Sequence, residues 1–573
     1  MLYIIEYYLF VSTCFLLLLS TFFSNSSYYS TYKITLPPYY INIKYEDSFL
    51  LTNVKIKIHP FIAYLLNYFY NKHYIFKYII DSFLNLCVYI KSVFIIPQKK
   101  KKNINIFNFF TFYKKDYINT NNIVINFIIY VYILLIVFFI MNINLNLVIF
   151  DKKLLLDNLI VISKFIILLM SFFYFLFVKA YLRLGNILKQ EFLIMLQFAI
   201  LSFILLLNSE DFFELYMSLE MYGLSIVSVI GLKYYNRTTI EAGFKYFLIT
   251  AVSSLFFLFS FSLLYISTGI YNFTDLKLLI DGLVFFEHIN FYIIFFSFIL
   301  LTLSFLIKLG SFPFNFWLID SYQSFPLITV FFLLTFPKFI ITILMTKIYF
   351  YTFSIFLNSY TIIFLFSLLF SSLVNNFVAI YQTNMKKLFI YGSFANLPFF
   401  LLIFYLHSYH ALVAFLSFFF IYFFNLLSIF LIYFLLATNS KNHIPLKITY
   451  LLNLYKINPI FSIIFTSFLL SLSGLPPFSG FFAKFYFLIN ISNAGSFFLC
   501  LFLLFTNLLT VFYYIRLIKL IFQTNYNFKY LNVSNKYSLI ILCTLFLLNI
   551  TFFFYFDAIY NFFFMFLTII NIC

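Results

Sequence analysis

The sequence predicts an all-α polytopic membrane protein of about fourteen transmembrane helices, arranged as two inverted five-helix repeats. Three observations lead there. Of the 573 residues, 64% are hydrophobic and only 9% are charged, and mean hydropathy is +1.02. A soluble fold needs more polar surface than that to cover its outside. Apolar runs of roughly 20 residues, the length that crosses a bilayer, recur along the chain. Two of these runs are broken by Pro and Gly at matching places in the order of spans.

The runs fall at roughly 2–23, 123–147, 156–181, 189–207, 211–232, 240–268, 288–310, 326–349, 355–381, 386–407, 409–437, 458–490, 495–522 and 535–556. A last stretch, 557–572, continues the final span or lies at the interface. The first run lacks the basic start of a cleavable signal. Residues 24–122 are more polar, with Pro37, Pro38, Pro60, Pro97 and the basic run Lys99 to Lys102. They read as an extramembrane insertion with surface-seeking amphipathic parts, either a partner-binding extension or a tolerated insertion. The expected organisation is a first helix at 1–23, the insertion at 24–122, peripheral helices at 123–188, one repeat at 189–349, a second at 350–522, and C-terminal helices at 523–573.

Several function classes drop out. The net charge of +18 lies in loops between apolar spans, where basic residues set topology or meet anionic headgroups such as cardiolipin, so nucleic acid is not an expected partner. Cys14, Cys87, Cys500, Cys543 and Cys573 are far apart, and the six His lack ligand spacing, so no metal or iron–sulfur site is expected on this chain. The 94 Phe and 49 Tyr, with Ile, Asn and Lys also plentiful, match AT-rich codons such as an organelle genome favours. The aromatics then read as lipid-facing filler, not a cofactor box.

The breaks are Lys308-Leu-Gly310-Ser-Phe-Pro313 in the seventh span and Gly474-Leu-Pro476-Pro477-Phe-Ser-Gly480 in the twelfth. Proline removes a backbone donor, and in lipid the freed carbonyl must be satisfied inside the protein or at a wet cavity. Breaks five spans apart suggest repeats over spans 4–8 and 9–13, with a pathway at the breaks.

Charges within spans need a reason, since each costs about 2.5–3.5 kcal/mol at the bilayer centre. Glu220 is mid-span, Lys308 precedes the first break, Lys338 lies near the middle of span 8, and Lys484 follows the second break. A lysine near a span end can snorkel. That reading suits Lys308 and Lys484 better than Lys338, and Glu220 is too short for it. A lysine held from water binds its proton less tightly, and a nearby carboxylate restores the affinity. A row of such groups bridged by water is a proton wire, and motion of Glu220 relative to Lys308 would switch it. Glu241 and Lys245 form an i,i+4 pair, read either as a helix-face ion pair or as a group for proton uptake and coupling.

At these residues the chain resembles a family. Leu219-Glu220-Met-Tyr-Gly-Leu-Ser, Glu241-Ala-Gly-Phe-Lys245-Tyr-Phe, the run from Lys308 through Pro313, Asn315, Trp317, Asp320 and Tyr322 to Pro326, Asn384-Met-Lys386-Lys387, and Leu472-Ser-Gly474 to Lys484-Phe are similar, in this order, to motifs of the antiporter-like subunits of respiratory complex I, NADH:ubiquinone oxidoreductase. Lysine at both Lys338 and Lys484 resembles the chain 2 branch. Chain 5-like members tend to have histidine at the former position, and chain 4-like members glutamate at the latter.

The resemblance implies a multi-pass subunit of the mitochondrial inner membrane. Glu220 and Lys308 would modulate, Lys338 would relay, and Lys484 would be the terminal proton group. Its partners would be the antiporter-like chains 4 and 5, a chain 4L-like subunit and accessory subunits. NADH, FMN, iron–sulfur clusters and ubiquinone would belong to other subunits. Where the family often has histidine this chain has Asn315 and Asn396, which hydrogen-bond but carry no proton. The insertion before residue 123 has no counterpart in the resemblance, and beyond about 495 only hydropathy matches. A free-standing cation/proton antiporter and a non-pumping structural subunit are the alternatives.

Overall fold

The computed structural model describes residues 8–16, 124–137, 139–140, 154–183, 190–232, 237–283, 289–439, 447–523 and 536–568. The insertion at 24–122 and most of the first span lie outside them. The described residues belong to one compact unit, Met1–Ser20 with Tyr117–Cys573.

The structure of that unit is helical. The helices are α1 (Leu154–Arg183), α2 (Gln190–Asn208), α3 (Phe212–Gly231), α4 (Arg237–Thr268), α5 (Phe273–Leu283), α6 (Ile289–Leu309), α7 (Asn315–Ser324), α8 (Leu327–Lys347), α9 (Leu357–Tyr381), α10 (Met385–Ala395), α11 (Leu397–Leu406), α12 (Tyr409–Asn439), α13 (Pro459–Ser473), α14 (Ser479–Asn493), α15 (Phe497–Phe522), α16 (Lys536–Phe554) and α17 (Phe556–Thr568). Among the described residues ten helices are long and apolar enough to cross a membrane, or eleven if the bent pair at the C-terminus counts as one. From α1 onward each begins and ends within a few residues of the expected spans. Of the stretch at 557–572, the described residues, up to Thr568, belong to α17, turned 77° from the helix before it.

Burial separates centre from rim. In α8 and α12, 94% of the span is buried, against 28% in α4. Helices that are apolar all round belong inside, and α8 has nineteen consecutive buried residues from Ile328 to Thr346. Aromatic rings fill this centre: Phe339 stacks on Phe419 at 4.6 Å, and Phe331 meets Tyr174 and Phe423. At the rim, Phe244, Leu255, Ile266, Phe498 and Leu508 are exposed, as lipid-facing residues should be.

Both expected breaks are present. α6 ends at Leu309 and α7 resumes at Asn315, while α13 ends at Ser473 and α14 resumes at Ser479. Each carries a glycine in the left-handed region, Gly310 at φ +68° and Gly474 at φ +80°. A side chain there would be strained by about 1–2 kcal/mol. A third interruption was not expected: the span at 386–407 is two helices, α10 and α11, joined at Asn396. Pro398 explains it, because its missing N–H cannot bond the carbonyl four residues back, at Phe394.

Gly480 lets α14 restart against the end of α13. A Cβ at Gly480 would collide with the backbone carbonyl of Ser471, whereas one at Gly231 would meet nothing within 4 Å. Gly480→Ala should therefore destabilise the chain by about 1–3 kcal/mol. Native gels should show less of the chain in its membrane assembly, with Gly231→Ala giving wild-type amounts.

Candidate functional site

The site begins at Glu220, half-buried on α3. It shares a cavity with Lys308 of α6. Tyr222, Tyr246, Trp317 and Tyr322 also line it, and it holds about 40 Å³ of room for water-sized occupants. That is space for roughly three waters. The cavity has polar walls: the Tyr222 and Tyr246 hydroxyls lie 3.1 Å apart, and Trp317 Nε1 is buried without a partner. Among the described residues no hydrogen bond holds Glu220 or Lys308, and Glu220 is the charge that acts on Lys308. The pair is thus joined through the cavity, not by direct contact. Lys308 also sits in the last turn of α6, where the helix dipole favours a cation.

Lys338 is 3% exposed on α8. Its Nζ donates to the Ser393 carbonyl at 3.3 Å and lies 3.8 Å from the Phe394 ring centroid. Ser393 belongs to the last turn of α10, just before the interruption at Asn396. The last carbonyls of a helix have no intrahelical partner, and here side chains supply them. Asn396 Nδ2 reaches Gly392 at 3.2 Å. Lys338 and Tyr422 share Ser393, the tyrosine at 3.4 Å. Asn375 Nδ2 reaches Phe394 at 3.4 Å. The snorkelling alternative for Lys338 fails because its amine turns inward to a helix end.

Lys484 is 5% exposed and makes the same kind of bond at the other break. Its Nζ donates to Leu472 O at 3.0 Å and Ser473 O at 3.3 Å, the final carbonyls of α13, and to Asn507 Oδ1 of α15 at 3.3 Å. Gly474 makes room for it, since a Cβ there would stand 2.8 Å from Lys484 Cδ.

Asn315, at the start of α7, is fully buried and donates to Asn375 Oδ1 at 3.0 Å. Asn375 passes the connection on to Phe394 O, beside the carbonyl that holds Lys338. Asn315 Oδ1 and Asn396 Oδ1 are buried without partners. Buried polar atoms are as a rule hydrogen-bonded, to protein or to ordered water, so these two oxygens suit water at the places where the resemblance leads one to expect histidine.

Glu241 and Lys245 form an ion pair of 2.8 Å, with side chains 62% and 56% exposed. Neither lines the cavity of Glu220 and Lys308. The geometry is that of a helix-face ion pair.

Sequence reasoning missed Asn375, Tyr422, Asn507 and the buried Lys164 of α1. The neighbours Asn375 and Asn376 inside an apolar span were a usable signal, as were Pro398 and Lys164. Tyr422 carried none, being one of 49 tyrosines.

Residues 209–510 match the family model described as NADH:quinone oxidoreductase/Mrp antiporter, transmembrane. The chain is 27% identical over 368 residues to NADH-quinone oxidoreductase subunit N of Francisella tularensis, covering 62% of this chain and 73% of that protein. It is 27% identical over 413 residues to NADH-ubiquinone oxidoreductase chain 2 of Marchantia polymorpha, covering 71% and 82%. A chain of respiratory complex I from Thermus thermophilus shares the fold at TM-score 0.59 and 18% identity, over 78% of this chain and 93% of that one. A chain of the Mrp complex from a Dietzia species does so at TM-score 0.61 and 15% identity, over 72% and 83%.

Asn375→Leu should strand the Asn315 amide and cost about 1–3 kcal/mol, read as a lower melting temperature of the purified assembly. Replacing both Asn315 and Asn375 by Leu should recover part of that loss, because two apolar partners leave no buried donor.

Proposed function

This chain belongs to the NADH:quinone oxidoreductase/Mrp antiporter membrane family, and on that premise we propose that it is a proton-translocating membrane-arm subunit of a complex I, of the chain 2 type, in the mitochondrial inner membrane. Its partners are then the antiporter-like chains 4 and 5, a chain 4L-like subunit, accessory subunits and anionic lipid. NADH, FMN, iron–sulfur clusters and ubiquinone reside in other subunits, and this chain moves protons.

One observation carries the reading: Glu220 and Lys308 face the same water-sized cavity inside the membrane span. A carboxylate and an ammonium separated by water form an adjustable pair, because small motions of α3 against α6 change their attraction steeply at low dielectric. When Glu220 approaches, Lys308 keeps its proton. When it withdraws, Lys308 releases the proton toward the Asn315–Asn375 line and Lys338. Lys338 passes it toward Lys484, the terminal group beside the second break. The work required is modest, since moving one charge against 100 mV costs about 2.3 kcal/mol. Residues 189–349 and 350–522 are assigned as the two inverted repeats, supported by the matching glycine–proline breaks. Glu241 and Lys245 are assigned to the surface of the subunit, outside the relay.

The family model also covers Mrp antiporters, which supports one second reading, a cation/proton antiporter outside complex I. Purification separates the two: a complex I subunit comes with a large NADH-oxidising assembly, and a free antiporter does not.

Lys338→Met should lower proton pumping by the assembled complex in proteoliposomes more than roughly tenfold, because the relay must then cross a stretch where a bare charge costs about 2.5–3.5 kcal/mol. Normal pumping by an intact complex would remove Lys338 from the path. Glu220→Gln should give a loss of similar size in NADH:ubiquinone turnover, and unchanged turnover would make Glu220 structural.

A further inference from the structure

Lys338 is held at the end of α10, where Tyr422 of α12 shares its carbonyl, and Lys484 bonds Asn507 of α15. Gly392, on the last turn of α10, has no side chain, and two hydroxyls fill its place. A Cβ at Gly392 would lie 2.5 Å from Tyr514 Oη and 3.4 Å from Tyr513 Oη. Both tyrosines come from α15, and their rings stand 4.5 Å apart. The next residue, Ser393, offers the carbonyl that Lys338 and Tyr422 share. Tyr422 Oη thus reaches the residue next to the one that the Tyr513 and Tyr514 hydroxyls cover.

Among the described residues the buried hydroxyls of Tyr513 and Tyr514 have no hydrogen-bond partner beyond one another. An unmet buried hydroxyl costs about 1–3 kcal/mol, so two side by side against a helix break form a place that takes water. In an apolar core of this size, phenylalanine would fill the same volume without that cost. On the other side, α15 also carries Asn507, whose Oδ1 accepts from Lys484 at 3.3 Å. Residues i and i+7 share a helix face about 10 Å apart. Asn507 and Tyr514 therefore face the same way along α15, with the buried Thr510 between them.

We propose that Tyr514, with Tyr513 and Tyr422, forms a hydrated hydroxyl bridge that carries protons between Lys338 and Lys484, and that Gly392 is glycine to admit it. The inference rests on the proton-relay reading above and adds residues to it. The Tyr514 oxygen accepts a proton from water on the Lys338 side while its own proton leaves to water on the Asn507 and Lys484 side. The hydroxyl then rotates back, and tyrosine is neutral before and after. Net transfer is one proton, with no bond to carbon changed.

The test uses the assembled complex in proteoliposomes, with NADH, a short-chain ubiquinone and a pH-sensitive dye. Tyr514→Phe keeps the ring and removes the oxygen. Protons translocated per NADH oxidised should fall by the share this chain contributes, while the other antiporter-like chains keep pumping. The amount of assembled complex should not change, which a purely packing role also predicts. The proton-to-NADH ratio is the readout that packing would leave alone. Tyr422→Phe and Tyr513→Phe serve as second variants should Tyr514→Phe fail to assemble, and each should lower the ratio. Unchanged ratios in the assembled tyrosine variants, with Lys338→Met still defective, would overturn the bridge and leave the relay standing. Unchanged pumping in Lys338→Met would overturn both.

Discussion

A helix that stops inside a membrane leaves carbonyls that neither its own backbone nor lipid can satisfy, and this constraint organises the structure. The chain meets it with basic and amide side chains. Lys338 serves the end of α10 and Lys484 the end of α13. The same solution recurs beyond the relay: Lys386 donates to the Gln323 and Phe325 carbonyls after α7, Arg516 to Ile380 and Gln382 at the end of α9, and Lys347 to Ser209 after α2. Cations at helix C-termini also complement the dipole, typically by about 0.3–1 kcal/mol.

Burial divides these helix-end cations into two groups. Lys386, Lys347 and Arg516 are only partly buried, near the ends of spans, and hold helix ends in place. Lys338 and Lys484 are buried more deeply and stand where two broken helices open the interior. Lys308 differs again, since no hydrogen bond among the described residues fixes it and it looks across a cavity at Glu220. Of the three lysines, Lys308 is therefore the least fixed.

The asparagines join the first break to the interruption at Asn396. Asn315 and Asn375 join α7 to α9 and then to the end of α10 by side-chain hydrogen bonds. An asparagine can fix orientation and offer hydrogen bonds, but it carries no proton. The resemblance to complex I subunits left open what replaces histidine at Asn315 and Asn396. The geometry offers buried, unpartnered amide oxygens at both places.

Hydropathy alone determined the helical class, the span positions and the two Gly–Pro breaks, because lipid imposes a fixed length of apolar helix and proline acts on its own helix locally. Glu220, Lys308, Lys338 and Lys484 were legible for the same reason: an ionisable residue in an apolar run stands out without any knowledge of its neighbours. Only the tertiary structure decided which groups meet. It set Glu220 and Lys308 around one cavity, turned Lys338 onto the end of α10, and brought the α15 tyrosines against Gly392. Those contacts join residues tens to more than a hundred positions apart, through helix packing that no local pattern encodes. A tyrosine hydroxyl that matters therefore cannot be told in sequence from one that merely faces lipid.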